Sequence, residues 1–116
     1  MNEHHHINYI EFAAHDLPAS KHFFSQVFNW QFTDYGPDYS AFENSGIAGG
    51  FYRVENNKPP VNTNPLVVIY SSDLIASQQQ VIAGGGTLVK EIFSFPGGQR
   101  FEFLEPSGNR LAVWSE

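Results

Sequence analysis

A single carboxylate among apolar and aromatic residues stands near the N-terminus of the chain. Glu11 lies between Ile10 and Phe12, two positions after Tyr9. Apolar surroundings disfavour the charged form of a carboxyl group and raise its pKa, which suits proton transfer at neutral pH. We therefore expect Glu11 to be the catalytic acid or base, if the chain has one. Two alternatives stay open, a site for a cationic ligand and an ion pair that only fixes the strands. The arginines available for such a pair are Arg53, Arg100 and Arg110.

The composition excludes several other classes of site. The 116 residues contain no cysteine, which removes disulfides, thiolate nucleophiles and cysteine-based zinc sites. The net charge of −6, with only six lysines and arginines, disfavours nucleic-acid binding. The run His4-His5-His6 is not expected to hold a metal, because adjacent side chains at a frayed terminus point in different directions. Without a long apolar run or an apolar N-terminus, we expect a cytoplasmic protein that does not associate with membranes.

Two similar series of elements would position these residues. The first begins with a strand and a helix, whose N-cap is Asp16 and whose first turn contains Pro18. The second repeats this plan after a polar, proline-rich linker, and its helix ends at Gly84-Gly85-Gly86. The predicted strands cover 7–14, 30–34, 40–43 and 47–53 in the first series, and 66–70, 87–89, 101–104 and 110–114 in the second.

Short motifs confirm that the chain contains an internal repeat. Asp16-Leu17 and Ala19-Ser20 recur 57 positions later, and Glu43-Asn44-Ser45-Gly46 has a counterpart 62 positions later. The change of offset predicts a five-residue insertion in the second copy, within the loop 93–98. The run Pro96-Gly97-Gly98-Gln99-Arg100 there forms either a mobile lid or, as we expect, a hairpin turn. One βαβββ unit cannot bury both faces of its sheet, so two units should pack together. The predicted units are 1–58, with the N-terminal tail, and 59–116.

The order and spacing of these motifs resemble one known family. The run from Ile10 to Ser20, followed by Phe23-Phe24 and by Val27-Phe28-Asn29-Trp30, looks like the first strand and helix of glyoxalase-like proteins. The run from Phe103 to Trp114 is similar to their closing hairpin, and the likeness spans residues 7–115. The family is the glyoxalase/bleomycin-resistance/dioxygenase (vicinal oxygen chelate) superfamily. The resemblance implies an α+β fold in which two tandem βαβββ units form a curled mixed sheet around a cleft.

The resemblance also says where a divalent metal would be held. Such proteins take ligands from the first and last strands of each unit, and those positions fall on Tyr9, Gly50, Leu66 and Ala112 here. Leucine, glycine and alanine side chains cannot coordinate a metal, and tyrosine is only an occasional ligand of ferric iron. We therefore expect neither a catalytic metal nor another cofactor.

The resemblance likewise implies which residues line the cleft. If the cleft face is the one that carries Glu11, strand alternation adds aromatic side chains from both units, with space at Gly50 and Ala112. Concave apolar surfaces with few polar groups are typical of small-molecule sites. The alternative for the rings is ordinary core packing. The candidate ligand-binding residues are Tyr9, Tyr52, Tyr70, Arg110 and Trp114.

Two classes of function stay open at this point. The first is a protein that binds a small aromatic or cationic molecule without a metal, as drug-binding members of the family do. The second is a lyase or isomerase similar to lactoylglutathione lyase, or a dioxygenase-type enzyme, with Glu11 as its acid or base. A ligand-sensing module for another protein is a third, weaker hypothesis. Family analogy also implies a homodimer.

Overall fold

The computed structural model describes residues 2–5, 7–55 and 66–116 of the chain. Two successive series of one strand, one helix and three strands confirm the predicted pair of βαβββ units. The predicted boundary at 58/59 and nearly all of the linker lie outside the described residues. The elements are β1 (Tyr9–Ala14), α1 (Leu17–Phe28), β2 (Gln31–Asp34), β3 (Tyr39–Glu43), β4 (Ala48–Arg53), β5 (Val67–Tyr70), α2 (Leu74–Ala83), β6 (Thr87–Phe95), β7 (Gly98–Leu104) and β8 (Arg110–Ser115).

Each unit forms its own four-stranded mixed sheet. The strand order is β1-β4-β3-β2 in the first sheet and β5-β8-β7-β6 in the second. In both sheets the first strand pairs with the last strand in parallel, and the other neighbours are antiparallel. The helix and hairpin between the parallel strands provide the crossover that such pairing needs. The sheets are not closed into a barrel, so β1 and β5 are edge strands.

Local sequence signals explain where both helices begin and end. The carboxylates of Asp16 and Asp73 accept hydrogen bonds from the backbone N–H groups of Ala19 and Ala76, each at 3.1 Å. Helix α1 is capped at its C-terminus by Asn29, whose φ of 61° is the left-handed conformation that commonly closes a helix. Within the described part of the chain, neither helix is long and apolar enough to cross a membrane.

One hydrophobic core lies between the two sheets, and α1 contacts both of them. The ring of Phe24 lies 5.4 Å from Phe51 of the first sheet, and the ring of Phe23 lies 5.9 Å from Phe103 of the second. The inward residues of both sheets and both helices belong to the same buried cluster. The helices therefore separate the sheets, and the outer faces of the two sheets point away from each other.

A buried polar network joins the closing turn of the second unit, residues 105–109, to the first unit. The Glu105 carboxylate, only 2 % exposed, accepts hydrogen bonds from the Ser20 hydroxyl at 2.7 Å and the Ser107 N–H at 3.0 Å. It also accepts both the backbone and the side-chain N–H of Asn109. The Asn109 amide donates a second bond to the Ala13 carbonyl oxygen at 2.7 Å, which ties the turn to the end of β1.

The predicted insertion is a long hairpin and contains no separate loop. Strand β6 continues to Phe95, so the predicted strand 87–89 was too short, and only Pro96-Gly97 turns the chain into β7. Gly97 has a φ of 108°, which a tight hairpin turn requires and glycine tolerates. Shifts of the β6–β7 register between Leu88 and Phe93 accommodate extra residues. The hairpin alternative is therefore confirmed.

Candidate functional site

The side chains that the sequence singled out lie on the outer faces of the two sheets. Along β1, Ile10 and Phe12 point towards the core, whereas Tyr9 and Glu11 alternate outwards. The apolar surroundings expected for Glu11 are therefore absent, because its neighbours occupy the other side of the sheet and its own side chain is exposed. The first outer face carries Tyr9, Glu11, Tyr39, Gly50 and Tyr52, and the second carries Val68, Tyr70, Lys90, Arg100, Glu102, Arg110, Ala112 and Trp114.

A hydrogen-bonded chain of three side chains is the polar centre of the first outer face. The Tyr39 hydroxyl donates to Glu11 Oε2 at 2.9 Å, and the hydroxyl oxygens of Tyr9 and Tyr39 are 2.5 Å apart. Burial raises the pKa of the Tyr39 phenol, and its bonds to Tyr9 and Glu11 raise it further. Tyr39 therefore stays protonated at neutral pH and remains a donor to Glu11. Tyr39 was not among the predicted site residues, because the predicted β3 began one residue too late.

Gly50 provides the space in which the Tyr39 ring lies. A Cβ at position 50 would approach Cζ of Tyr39 to 2.5 Å and its hydroxyl more closely still. Register explains the contact, since Gly50 of β4 sits between Glu11 of β1 and Ala41 of β3. The position at which the family resemblance expects a metal ligand therefore seats a phenol ring.

The residues at the expected metal positions do not fit a divalent ion. Gly50 and Ala112 offer no donor atom, and Ala112 is fully buried. Leu66, which directly precedes β5, has a hydrocarbon side chain. Tyr9 is therefore the only one of the four residues whose side chain contains an oxygen. Within the described ranges, no three His, Asp or Glu side chains come together in one place. His4 and His5 stack on each other at the exposed terminus, and His6 lies outside the described residues.

A buried carboxylate between two arginines is the polar centre of the second outer face. Glu102 is 3 % exposed and contacts Arg100 at 3.0 Å through Oε2 and Arg110 through Oε1. Burial alone would raise the pKa of Glu102, but Arg110, with Arg100 and Lys90, outweighs burial and lowers the pKa. Arg110 thus fixes adjacent strands, in addition to lining the face.

The predicted ion pair between Glu11 and an arginine was wrong. Arg53 pairs with Asp38 at 2.7 Å, and the other two arginines hold Glu102. Arg100 and Arg110 are out of reach because they belong to the second sheet, whereas Glu11 belongs to the first. Among the described residues, Glu11 contacts no cationic side chain within ion-pair distance.

Aromatic rings surround the arginines of the second outer face. The Trp114 ring lies 5.2 Å from Tyr70 and 6.4 Å from Phe95. The Arg100 guanidinium lies 5.4 Å from the Phe93 ring and 5.8 Å from the Phe95 ring. Burial and a hydrogen bond to Glu116 raise the pKa of the Tyr70 phenol. The long β6–β7 hairpin therefore brings two of these rings to the site.

The six predicted site residues divide into two groups of three. The first outer face brings together Tyr9, Glu11 and the exposed Tyr52, whose register partners are Ala13 and Tyr39. The second outer face brings together Tyr70, Arg110 and Trp114. Because the two faces lie on opposite sides of the shared core, one copy of the chain does not join the groups in one cleft.

A cavity of about 550 Å³ lies between the core side of the first sheet and β5. Its wall is mainly apolar, with Ile10, Phe12, Trp30 and Phe42 on one side. Leu66 also borders it, directly after residues that are outside the described part of the chain. Because the cavity wall ends beside residues outside the described part of the chain, no ligand is assigned to it. The candidate site consists of the two outer faces.

Known proteins share both the sequence pattern and the fold. The sequence model of the Glyoxalase/Bleomycin resistance protein/Dioxygenase superfamily matches residues 6–113. No protein of curated function matches the chain. Similar solved structures include a glyoxalase-related enzyme from Fulvimarina pelagi, at 18 % identity and a TM-score of 0.82, covering 97 % of this chain and 88 % of that one.

Two other similar structures differ in the activity for which they are named. A lactoylglutathione lyase from Agrobacterium tumefaciens has 17 % identity and a TM-score of 0.70, with 96 % and 93 % of the two chains covered. A fosfomycin resistance protein from Mesorhizobium loti has 12 % identity and a TM-score of 0.77, with 97 % and 92 % covered. At such identities the likeness shows the fold alone. Together with the sequence match over 6–113, it shows that the chain belongs to the Glyoxalase/Bleomycin resistance protein/Dioxygenase superfamily.

Proposed function

We propose that this protein binds a small organic molecule on its outer faces without a catalytic metal. The observation that carries the proposal is the Tyr39 ring seated over Gly50, because it fills the space of a metal ligand with a phenol. The faces offer what small-molecule sites usually contain, aromatic surface with a few polar groups in fixed positions. Those polar groups are the Tyr9–Tyr39–Glu11 chain and the two arginines around Glu102.

We further propose that the cleft forms between two copies of the chain. The two outer faces point away from each other, so a ligand can contact both only if a second copy brings its second face to the first face of its partner. The outer edges of β1 and β5 support this arrangement. Each strand is paired along its inner edge, with β4 or β8, and no described strand pairs with its outer edge. Exposed aromatic rings beside these edges, Tyr9 and Tyr70, add apolar surface for an interface.

The test combines metal analysis, thermal unfolding and solution mass. Elemental analysis of untagged protein should find no stoichiometric metal, and neither divalent ions nor EDTA should change the melting temperature. Small aromatic molecules that bind the native state should raise it by mass action. Light scattering should give the mass of a dimer. Stoichiometric metal whose removal lowers the melting temperature would overturn the metal-free proposal, and a monomer would overturn the shared cleft.

A second candidate function is acid–base catalysis by Glu11, of the lyase or isomerase type. The observation that favours it is the hydrogen bond from Tyr39, which holds one carboxylate oxygen in place on an exposed face, while the other has no hydrogen-bond partner among the described residues. A carboxylate fixed in this way is positioned to take a proton from a bound molecule.

Two conservative variants separate this candidate from binding alone. In an enzyme, Glu11→Gln should abolish turnover while ligand affinity persists, and Tyr39→Phe should lower turnover less. In a protein that uses Glu11 to hold a cation, Glu11→Gln should weaken binding instead. If neither variant changes turnover or affinity, Glu11 has no functional role.

A further inference from the structure

The cationic side chains of this acidic protein are unevenly distributed. Of the six lysines and arginines in the sequence, three lie on the second outer face. Two more belong to the first unit and pair individually with aspartates there, Lys21 with Asp34 and Arg53 with Asp38. The second outer face therefore concentrates positive charge in a protein whose net charge is −6.

The carboxylates nearby do not neutralise this concentration completely. Glu102 contacts both Arg100 and Arg110, so one negative charge faces two guanidinium groups, with Lys90 beside its strand as a third cation. A second carboxylate, Glu116, accepts a hydrogen bond from Tyr70 at the edge of the face. The side chains of Arg100 and Arg110 remain 32 % and 27 % exposed, so both can still reach a ligand.

Packing holds the two guanidinium groups in place before any ligand arrives. The Arg100 group lies near the rings of Phe93 and Phe95, and its Nε is buried without a hydrogen-bond partner. The Arg110 group donates two bonds to Glu102 Oε1. Such fixed, planar groups match the geometry of carboxylates and phosphates, and little side-chain entropy remains to be lost on binding.

An aromatic surface adjoins the arginines. Trp114 is the register partner of Arg100 across the β7–β8 ladder, and its ring is flanked by Tyr70 and Phe95. We propose that the second outer face binds a small aromatic anion, with its carboxylate or phosphate group at Arg100 and Arg110 and its ring against Trp114. This inference rests on the proposed small-molecule function and reverses the cationic ligand that the sequence suggested from Glu11.

Trp114 fluorescence provides a direct test. Three probes share one ring and differ in charge: benzoate, benzamide and benzylamine. Benzoate should change the fluorescence saturably, at least ten-fold more tightly than benzamide, and benzylamine should bind most weakly. The signal should disappear in Trp114→Phe, because the other tryptophan, Trp30, lies on the core side of the first sheet, away from the second outer face. A signal that persists in Trp114→Phe would place the probe at Trp30 and overturn the site. Added salt should weaken benzoate binding.

Matched variants connect the binding to the arginines. Arg110→Lys keeps a charge beside Glu102 but loses the planar fork, so benzoate binding should weaken about ten-fold. Arg53→Lys changes an arginine of the first unit in the same way and should leave binding unchanged. Phenylphosphate and inorganic phosphate distinguish the anionic group, since tighter binding of phenylphosphate than benzoate would assign a phosphate. Inorganic phosphate that binds as tightly as phenylphosphate would overturn the role of the ring.

The outcomes also separate this inference from the proposed function. If benzamide or benzylamine binds as tightly as benzoate, or if Arg110→Lys has no effect, the anion site is wrong while small-molecule binding stands. If none of the three aromatic probes binds at millimolar concentration, both proposals fail for this face.

Discussion

The two βαβββ units share a backbone plan but use it differently. Both have an aspartate N-cap, a parallel pair of first and last strands, and a small residue at the matching position of the last strand. Their outer faces differ in charge, with a carboxylate and three tyrosines in the first and two arginines around a buried carboxylate in the second. Duplication thus preserved the elements, whose signals are local, and let the exposed side chains diverge.

The turn before the last strand shows the same divergence. In the second unit, Glu105 is buried and accepts four hydrogen bonds, three from within its own turn and one from Ser20 of the first unit. In the first unit, Glu43 is exposed, and the neighbouring Asn44 donates its amide to the Asn29 carbonyl oxygen at 3.1 Å. A shared motif therefore does not imply a shared role, because the second turn bonds to Ser20 within α1, whereas the first turn bonds to Asn29 after the end of α1.

The largest expected loss of stability comes from removing the buried carboxylate of the second turn. Glu105→Ala would leave buried donors without their acceptor, among them the backbone N–H groups of Ser107 and Asn109, and should lower the free energy of unfolding by about 3 kcal/mol. Glu43→Ala should change it by less than about 0.5 kcal/mol. Urea unfolding at one fixed protein concentration measures both, because assembly would make stability depend on concentration. Equal effects of the two variants would contradict the buried network.

A smaller effect should distinguish the carboxylates of the two outer faces. Because the arginines hold the pKa of Glu102 below its usual value, its ionised form stabilises the native state above about pH 4.5. That contribution is lost as the pH falls through the lowered pKa of Glu102. Glu102→Gln should therefore cost about 2 kcal/mol at neutral pH, and its stability should fall less steeply in acid than that of the wild type.

Glu11→Gln is the matched control for this prediction. Its carboxylate is exposed and contacts Tyr39 without a cationic partner among the described residues, so the cost should stay within about 0.5 kcal/mol. Unfolding measured from about pH 7 to pH 3 gives both slopes. An acid dependence of Glu102→Gln as steep as that of the wild type would contradict the lowered pKa.

The sequence predicted the fold well because its signals are local or repeated. Asp16 and Asp73 cap their helices as expected, and the repeated motifs located both units. The strand boundaries differ by one or two residues except in β6, which continues to Phe95, and in β7, which begins three residues earlier than predicted, at Gly98. The β6–β7 hairpin replaced a predicted loop because the inserted residues extend the ladder of two strands and do not leave the sheet.

The candidate site was predicted less completely, because its contacts join distant parts of the chain. Strand alternation placed Tyr9 and Glu11 together, but the register of β3 and β4 was needed to bring in Tyr39. Glu102 was also missed, although it alternates with Arg100 on β7 and would have been found by the same reasoning. The relative orientation of the two faces depends on how the helices pack between the sheets, which no local pattern specifies.

The smallest expected change in stability tests how Tyr39 is seated, the feature that separates the first outer face from the second. In Gly50→Ala the new methyl group would meet the far end of the Tyr39 side chain, which can swing outwards, so the cost should stay below about 1 kcal/mol. The displaced phenol would lose its burial and its bond to Glu11, and its pKa should fall towards the ordinary tyrosine value. Ultraviolet titration of the tyrosines measures this, with Tyr39→Phe to identify the group and Ala112→Gly, the matching position of the second unit, as control. A titration curve of Gly50→Ala that superimposes on the wild-type curve would show that Tyr39 does not lie over Gly50 in solution.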